Sequence, residues 1–290
     1  MFGLRYATYV PQIHSAIRFA IARRRFVFFY FLGEIMFQKT IAFAILFLPL
    51  WGEAAHADFA ILSASKDNTL YESSTGALSN GAGDYFFVGR TSANTLRRGL
   101  IQFDLTSIPL GATVDSVSLR LTLNRAEIAG AADVSLHRTT TAWGEGTSNA
   151  PGQEGGGATA TPGDATWIHS SLPGSLWLNQ GGDFVVTASA TQRLDADNTY
   201  IWTSTPSLVA DVQQWVNNPN TNFGWLIRGD ELNGATAMRF LSRTGPGGQA
   251  FQPELTVNFT AVPEPTSFLL LVSFGITGMW MMKRVRHNRI

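Results

Sequence analysis

Between residues 58 and 261 the chain is dominated by apolar and polar residues alternating with a period of two. Val117, Leu119, Leu121 and Leu123 alternate with Ser118, Arg120 and Thr122; Leu255, Val257 and Phe259 alternate with Thr256 and Asn258. That period is the signature of a strand with one buried face. Val134 and Leu136 repeat it, and shorter candidates occur at 85–88, 100–105, 184–188, 200–203, 224–228 and 239–242. Turn-forming residues separate them: Asn80-Gly81, Pro109-Leu110-Gly111, Gly181-Gly182, Asn233-Gly234 and Gly245-Pro246-Gly247-Gly248. Roughly nine short strands predict a single all-β domain, an antiparallel β-sandwich of the jelly-roll type. One segment breaks the period. In 206–217, Leu208, Val209, Val212, Trp215 and Val216 share a helical face. Thr205 is placed to cap that helix, with Pro206 at its first position and Asn218-Pro219 to stop it. Residues 144–165, rich in Gly, Thr and Pro, predict a long loop, and Gly155-Gly156-Gly157 favours mobility there.

The two ends follow different rules. At the N-terminus Lys39, the apolar stretch 41–51 and Ala55-His56-Ala57 form a compact secretory signal peptide if translation starts at Met36. Residues 1–57 are therefore set apart as an N-terminal extension and signal segment. At the C-terminus, Pro263, Glu264 and Pro265 precede an uncharged apolar run at 267–282, and then Lys283, Arg284, Arg286 and Arg289. Sixteen residues at about 1.5 Å each span about 24 Å as a helix, a little short of a ~30 Å hydrocarbon core. The basic cluster is expected to hold that end in the cytoplasm.

This tripartite tail, 262–290, closely resembles the PEP-CTERM sorting signal of Gram-negative bacteria. The resemblance implies transient inner-membrane anchoring through 267–282, then release by an exosortase to the cell surface or extracellular matrix. The body also resembles a known family. Asp67-Asn68-Thr69-Leu70-Tyr71-Glu72, Arg98–Leu105, Trp143-Gly144-Glu145, Ala165-Thr166-Trp167, Asn222–Leu226 and Pro253–Val257 follow, in order, motifs of the DNRLRE domain. That family comprises exported β-sandwich modules related to carbohydrate-binding modules. Thr69 and Tyr71 stand where its name places arginines.

Charge narrows the partners. The whole chain is neutral, but residues 58–261 hold eleven basic and eighteen acidic residues, a net of −7. An acidic body argues against nucleic acid, whose phosphates require clustered cations. With no cysteine, the domain holds together without disulfides, and thiol chemistry is excluded.

Candidate chemistry is sparse. His137 and His169 read as surface residues without a metal-binding or triad motif. Trp202, Trp215 and Trp225 fall in strand and helix patterns and read as core. Trp143, Trp167 and Trp177 flank the long loop, where their faces can stack on sugar rings or else cover one end of the sandwich. Asp67, Asn68 and Glu72, or Asp195, Asp197 and Asn198, can offer oxygens to a structural calcium ion; turn stabilisation is the plainer role. No other cofactor is implied. The expected function is non-catalytic, in the envelope or matrix, with extracellular polysaccharide as ligand. The alternatives are a purely structural matrix or adhesion protein and a polysaccharide-degrading enzyme using two carboxylates.

Overall fold

The computed structural model describes residues 56–126 and 131–262. The motif Pro263, Glu264 and Pro265, the apolar run 267–282 and the signal segment before residue 56 lie outside the described residues. No helix among the described residues is long and apolar enough to cross a membrane.

The described residues form a mostly-β domain with one short α-helix, as the alternation predicts. Strand β1 (Ala57–Tyr71) is followed by β2 (Leu78–Ser79), β3 (Tyr85–Arg90), β4 (Leu96–Phe103), β5 (Thr113–Ala126) and β6 (Ala132–Arg138). After the short β7 (Ala158–Thr159), β8 (His169–Ser171) and β9 (Ser175–Leu176) come β10 (Ala190–Leu194) and β11 (Asn198–Trp202). Helix α1 (Pro206–Asn217), β12 (Trp225–Arg228), β13 (Met238–Leu241) and β14 (Glu254–Thr260) complete the order.

Six strands close on themselves. β1 pairs with β14, β14 with β5, β5 with β13, β13 with β3, β3 with β4, and β4 with β1, all antiparallel. Closure is possible because β1 changes neighbour midway. Residues 57–63 pair with β14 and residues 64–71 with β4, across a register shift between Ala64 and Lys66. Such a bulge lets a strand bend without losing its ladder. β12, β6 and β10 extend the ring from β4, and β11 extends it from β5.

The main core lies inside, where Phe86, Ile101, Phe103, Leu119, Leu121, Trp202, Trp215, Trp225 and Phe240 are buried. The three tryptophans read as core from the sequence are there. Helix α1 caps one end with the predicted chemistry: the Thr205 hydroxyl accepts from Leu208 N–H at 3.0 Å, and Pro206 opens the first turn.

Two predicted features differ. Residues 184–188 form no strand; Phe184 makes a single bridge to Thr139, while Val185 N–H and Ser189 N–H reach Arg138 and Leu136 carbonyls. Also, β1 is long and absent from the predicted strands. Its first half is apolar on both faces, and in its second half the polar Asp67, Asn68 and Thr69 are buried, so neither half alternates as a half-buried strand does.

Candidate functional site

The β1–β4–β12 region is covered on both faces. Ile101, Trp225 and Ile227 enter the main core, while their neighbours Leu100 and Leu226, which pair across β4 and β12, point the other way. There they meet Leu70, Ala165, Trp143, Trp167 and Trp177 in a second apolar cluster. The candidate sugar platform is thereby corrected. Trp143, Trp167 and Trp177 are only 4%, 7% and 5% exposed, and a ring buried this far offers no face to a sugar. Their indole N–H groups are also engaged internally: Trp143 Nε1 donates to the Phe223 carbonyl and Trp177 Nε1 to the Thr166 carbonyl, both at 2.8 Å. These residues cover the sheet's outer face.

His137 is corrected for the same reason. It pairs with Leu226 across β6 and β12, and the 184–186 segment lies over it. Its ring sits edge-on to Phe184, 5.3 Å between centroids, with Nδ1 3.0 Å from the Val185 carbonyl and Nε2 2.9 Å from Ser135 Oγ. Burial depresses its pKa, against the opposing pull of the Val185 carbonyl. His169 is half-buried, with Nδ1 3.1 Å from Thr166 Oγ1.

The long loop is pinned by a buried carboxylate. Glu154, at φ +62°, accepts from Asn80 Nδ2 (2.8 Å), Tyr85 N–H (3.0 Å) and Asp84 N–H (3.1 Å), and its carbonyl accepts from the Tyr71 hydroxyl (2.9 Å). Asp164, fully buried, accepts from Thr161 N–H and Ser148 N–H. The expectation of mobility at 155–157 rested on glycine content, yet Gly157, at φ +72°, passes so close to the Tyr71 ring that a Cβ there would lie 3.2 Å from its atoms.

The residues singled out for calcium take separate partners. Asp67 Oδ2 accepts from Arg243 N–H at 2.7 Å, while Arg243 pairs its guanidinium with Glu145 at 2.7 Å. Asn68 bridges Ser79, Asn80 and the Glu145 carbonyl. Glu72 accepts from Leu96 N–H at 2.6 Å. Asp67 and Glu72 stand five residues apart, roughly 16 Å along an extended chain. In the second cluster, Asp195 accepts from the Tyr200 hydroxyl at 2.8 Å, Asp197 from Ala126 N–H at 3.1 Å, and Asn198 Oδ1 from Thr199 N–H. No group of three or more His, Asp or Glu among the described residues is arranged to hold a metal ion.

A different site emerges from residues the sequence left unremarked. A cavity of ≈ 210 Å³ opens between β3, β5, β13 and the long loop, lined by Phe87, Arg97, Arg125, Gln153, Met238 and Arg239, with Thr91 and Ser92 at its border. Arg125 and Arg239 are direct cross-strand partners, a placement in which like charges repel. Gln153 Oε1 accepts from both, at 3.4 Å and 2.5 Å. Arg239 also donates Nε to Asn124 Oδ1 (2.8 Å) and lies 4.0 Å from the Tyr85 ring. Arg97 donates to the carbonyls of Gly155 and Leu96, and stands 4.8 Å from the Tyr71 ring.

No ion pair involves these three arginines among the described residues, although Arg98, Arg120, Arg138, Arg193, Arg228 and Arg243 all have carboxylate partners. Arg97 and Arg239 are 8% and 9% exposed, so their charge is carried with little help from solvent. Burial lowers the Arg97 pKa, with Tyr71 and Glu72 opposing. No sequence signal marks the set. The three positions are spread over β4, β5 and β13, and only the ring's closure brings them together.

A second cleft lies beside α1, between Gln102, Asp104, Trp215, Val216 and Asn222. Gln102 Oε1 and Trp215 Nε1 in its wall have no hydrogen-bond partner among the described residues.

Compared with models of known protein families and with curated proteins, the chain matches none.

Proposed function

We propose that this is an exported, non-catalytic protein whose β domain binds an acidic polysaccharide through the Arg97–Arg125–Arg239 pocket. The observation that carries this reading is three guanidinium groups around one cavity in a body of net charge −7, none paired with a described carboxylate. Guanidinium forks match carboxylates in geometry and charge. Arg125 is exposed, but burying Arg97 and Arg239 without anionic partners costs several kcal/mol, a cost the bound anion offsets. The wall contains no Asp, Glu or His among the described residues, so the pocket lacks the general acid and base that glycoside hydrolysis requires.

The remaining parts of the reading rest on sequence. The 262–290 tail resembles a PEP-CTERM signal, which makes an exosortase and the secretion machinery the partners in sorting and the cell surface or matrix the destination. The motif order resembles a DNRLRE domain. A jelly-roll-type sandwich agrees with pairings that fall into two groups sharing β1 and β3.

The test is retention of a polyuronate by the full chain in detergent, against a neutral glucan and a sulfated polymer. Binding is expected for the polyuronate, and Arg125→Ala or Arg239→Gln should weaken it about 10- to 100-fold, the scale of one or two charge-assisted bonds. Equal affinity for the neutral glucan, or affinity unchanged in both variants, would remove the pocket from the function. Release of reducing sugar would make the protein an enzyme.

A further inference from the structure

The outer edge of β1 combines features that a soluble domain normally avoids. Residues 57–63 pair only with β14 among the described residues, so their other edge is open. Ala60 and Leu62 turn toward the core, while Phe59 and Ile61 face outward, 63% and 59% exposed. An open edge with outward apolar residues invites partners.

The topology also fixes where this edge lies. Ala57 pairs with Thr260, and Ala261 N–H donates to the His56 carbonyl at 3.2 Å. The chain therefore enters and leaves the domain at one point, beside Phe59. From Val262 to Ser267, where the apolar run begins, is five Cα steps, at most about 18 Å fully extended. The headgroup layer on each side of a bilayer takes up about 5–8 Å of that.

We infer that, while the tail spans the membrane, the Phe59–Ile61 edge of β1 rests in the interfacial layer of the bilayer. The inference depends on reading 267–282 as a membrane span, as proposed above. A strand lying along the surface places Phe59 and Ile61 at headgroup depth, the level at which apolar side chains bind an interface. Asp58, whose Oδ1 accepts from Phe59 N–H at 2.8 Å, borders the edge. The contact is therefore apolar, shallow and favoured by zwitterionic over anionic lipid. Release of the domain at Pro263–Pro265 leaves the edge free.

The chain has no cysteine, so single cysteines carrying an environment-sensitive dye report each position cleanly. Phe59→Cys, Ile61→Cys, Leu232→Cys and Ser273→Cys are made in the full chain and reconstituted in phosphatidylcholine vesicles. Positions 59 and 61 should show blue-shifted emission, quenching by shallow lipid-borne nitroxide and protection from iodide; position 232, 91% exposed, should remain open to iodide. Position 273 tests the underlying reading separately. If 273 is lipid-quenched while 59 and 61 behave like 232, the edge does not touch the bilayer and the inference is wrong. If 273 is not lipid-quenched, the span itself fails. Dyes at 59 and 61 that are blue-shifted and iodide-protected without lipid quenching would assign the edge to a second copy and overturn the inference.

Discussion

Asp67 illustrates how far a single side chain's chemistry is set by its surroundings. Burial pushes its pKa up to about 7, and the neighbouring Glu145 and Glu154 add to the rise, while Arg243 N–H and the Arg243 charge oppose it. A carboxyl whose folded pKa exceeds its unfolded value binds more protons when folded, so its contribution falls as pH rises between about 4 and 7. Asp183 and Glu231 act in the opposite sense. Burial alone would raise them, but Leu178 and Asn179 N–H groups outweigh it for Asp183, and Arg98 and Arg228 for Glu231. Their stabilisation is lost only as pH falls below the ordinary carboxylate range. Asp67 therefore contributes about 2–4 kcal/mol more stability near pH 5 than near pH 8, with His137, depressed by burial, opposing it below about pH 6.5. Asp67→Asn should remove the Asp67 share in urea titrations at the two pH values. Glu154 makes a second case. Glu154→Ala strands Asp84 N–H and Tyr85 N–H, leaves Asn80 Nδ2 with the Tyr85 carbonyl alone, and is expected to cost about 3 kcal/mol. Because Gly155 O receives Arg97, the same variant should become susceptible to proteolysis at 152–157 and bind polyuronate more weakly.

Among the elements, α1 was the most legible, because local rules decide it. Thr205 and Pro206 start the helix, its spacing gives one apolar face, and Asn218 ends it. Thr205→Ala should cost about 1 kcal/mol, lowering the thermal midpoint by about 2–4 °C for a domain of this size. The half-buried strands β5 and β14 were legible for a similar reason, one face being wet. Where both faces are covered, alternation loses its meaning. Polar residues of β1 such as Asn68 and Thr69 then read as loop, although the fold satisfies them internally. His137 was misplaced for the same cause, and the tryptophans of the second cluster took the covering role rather than sugar stacking, since no local rule states that residues 141–183 fold back over the sheet. The arginine pocket was illegible for a stronger reason. On its own strand each arginine looks like an ordinary polar position, and the Arg125–Arg239 pairing exists only through β5–β13 register.

At the scale of the whole molecule, β1 holds the ring shut. It is the strand that joins β14 to β4, and its residues serve both apolar clusters, Ala64 in the main core and Leu70 in the second. β4 and β12 do the same through Leu100 with Ile101 and Leu226 with Ile227. Two clusters that share the residues of the same strands cannot separate without breaking those strands, so the second cluster has no independent stability. The domain is accordingly expected to unfold in urea as one transition, superimposable by far-ultraviolet circular dichroism and by tryptophan fluorescence. The tryptophans make the measurement discriminating, because Trp202, Trp215 and Trp225 report the main core and Trp143, Trp167 and Trp177 the second. A fluorescence change preceding the loss of β signal would show that residues 141–183 detach alone, and that the outer cluster is a cover laid on a finished sheet. Leu226→Ala distinguishes the two cases further. In the coupled molecule it costs about 2–5 kcal/mol, as for a buried leucine, and lowers a single midpoint, whereas in the uncoupled one it shifts only the earlier step.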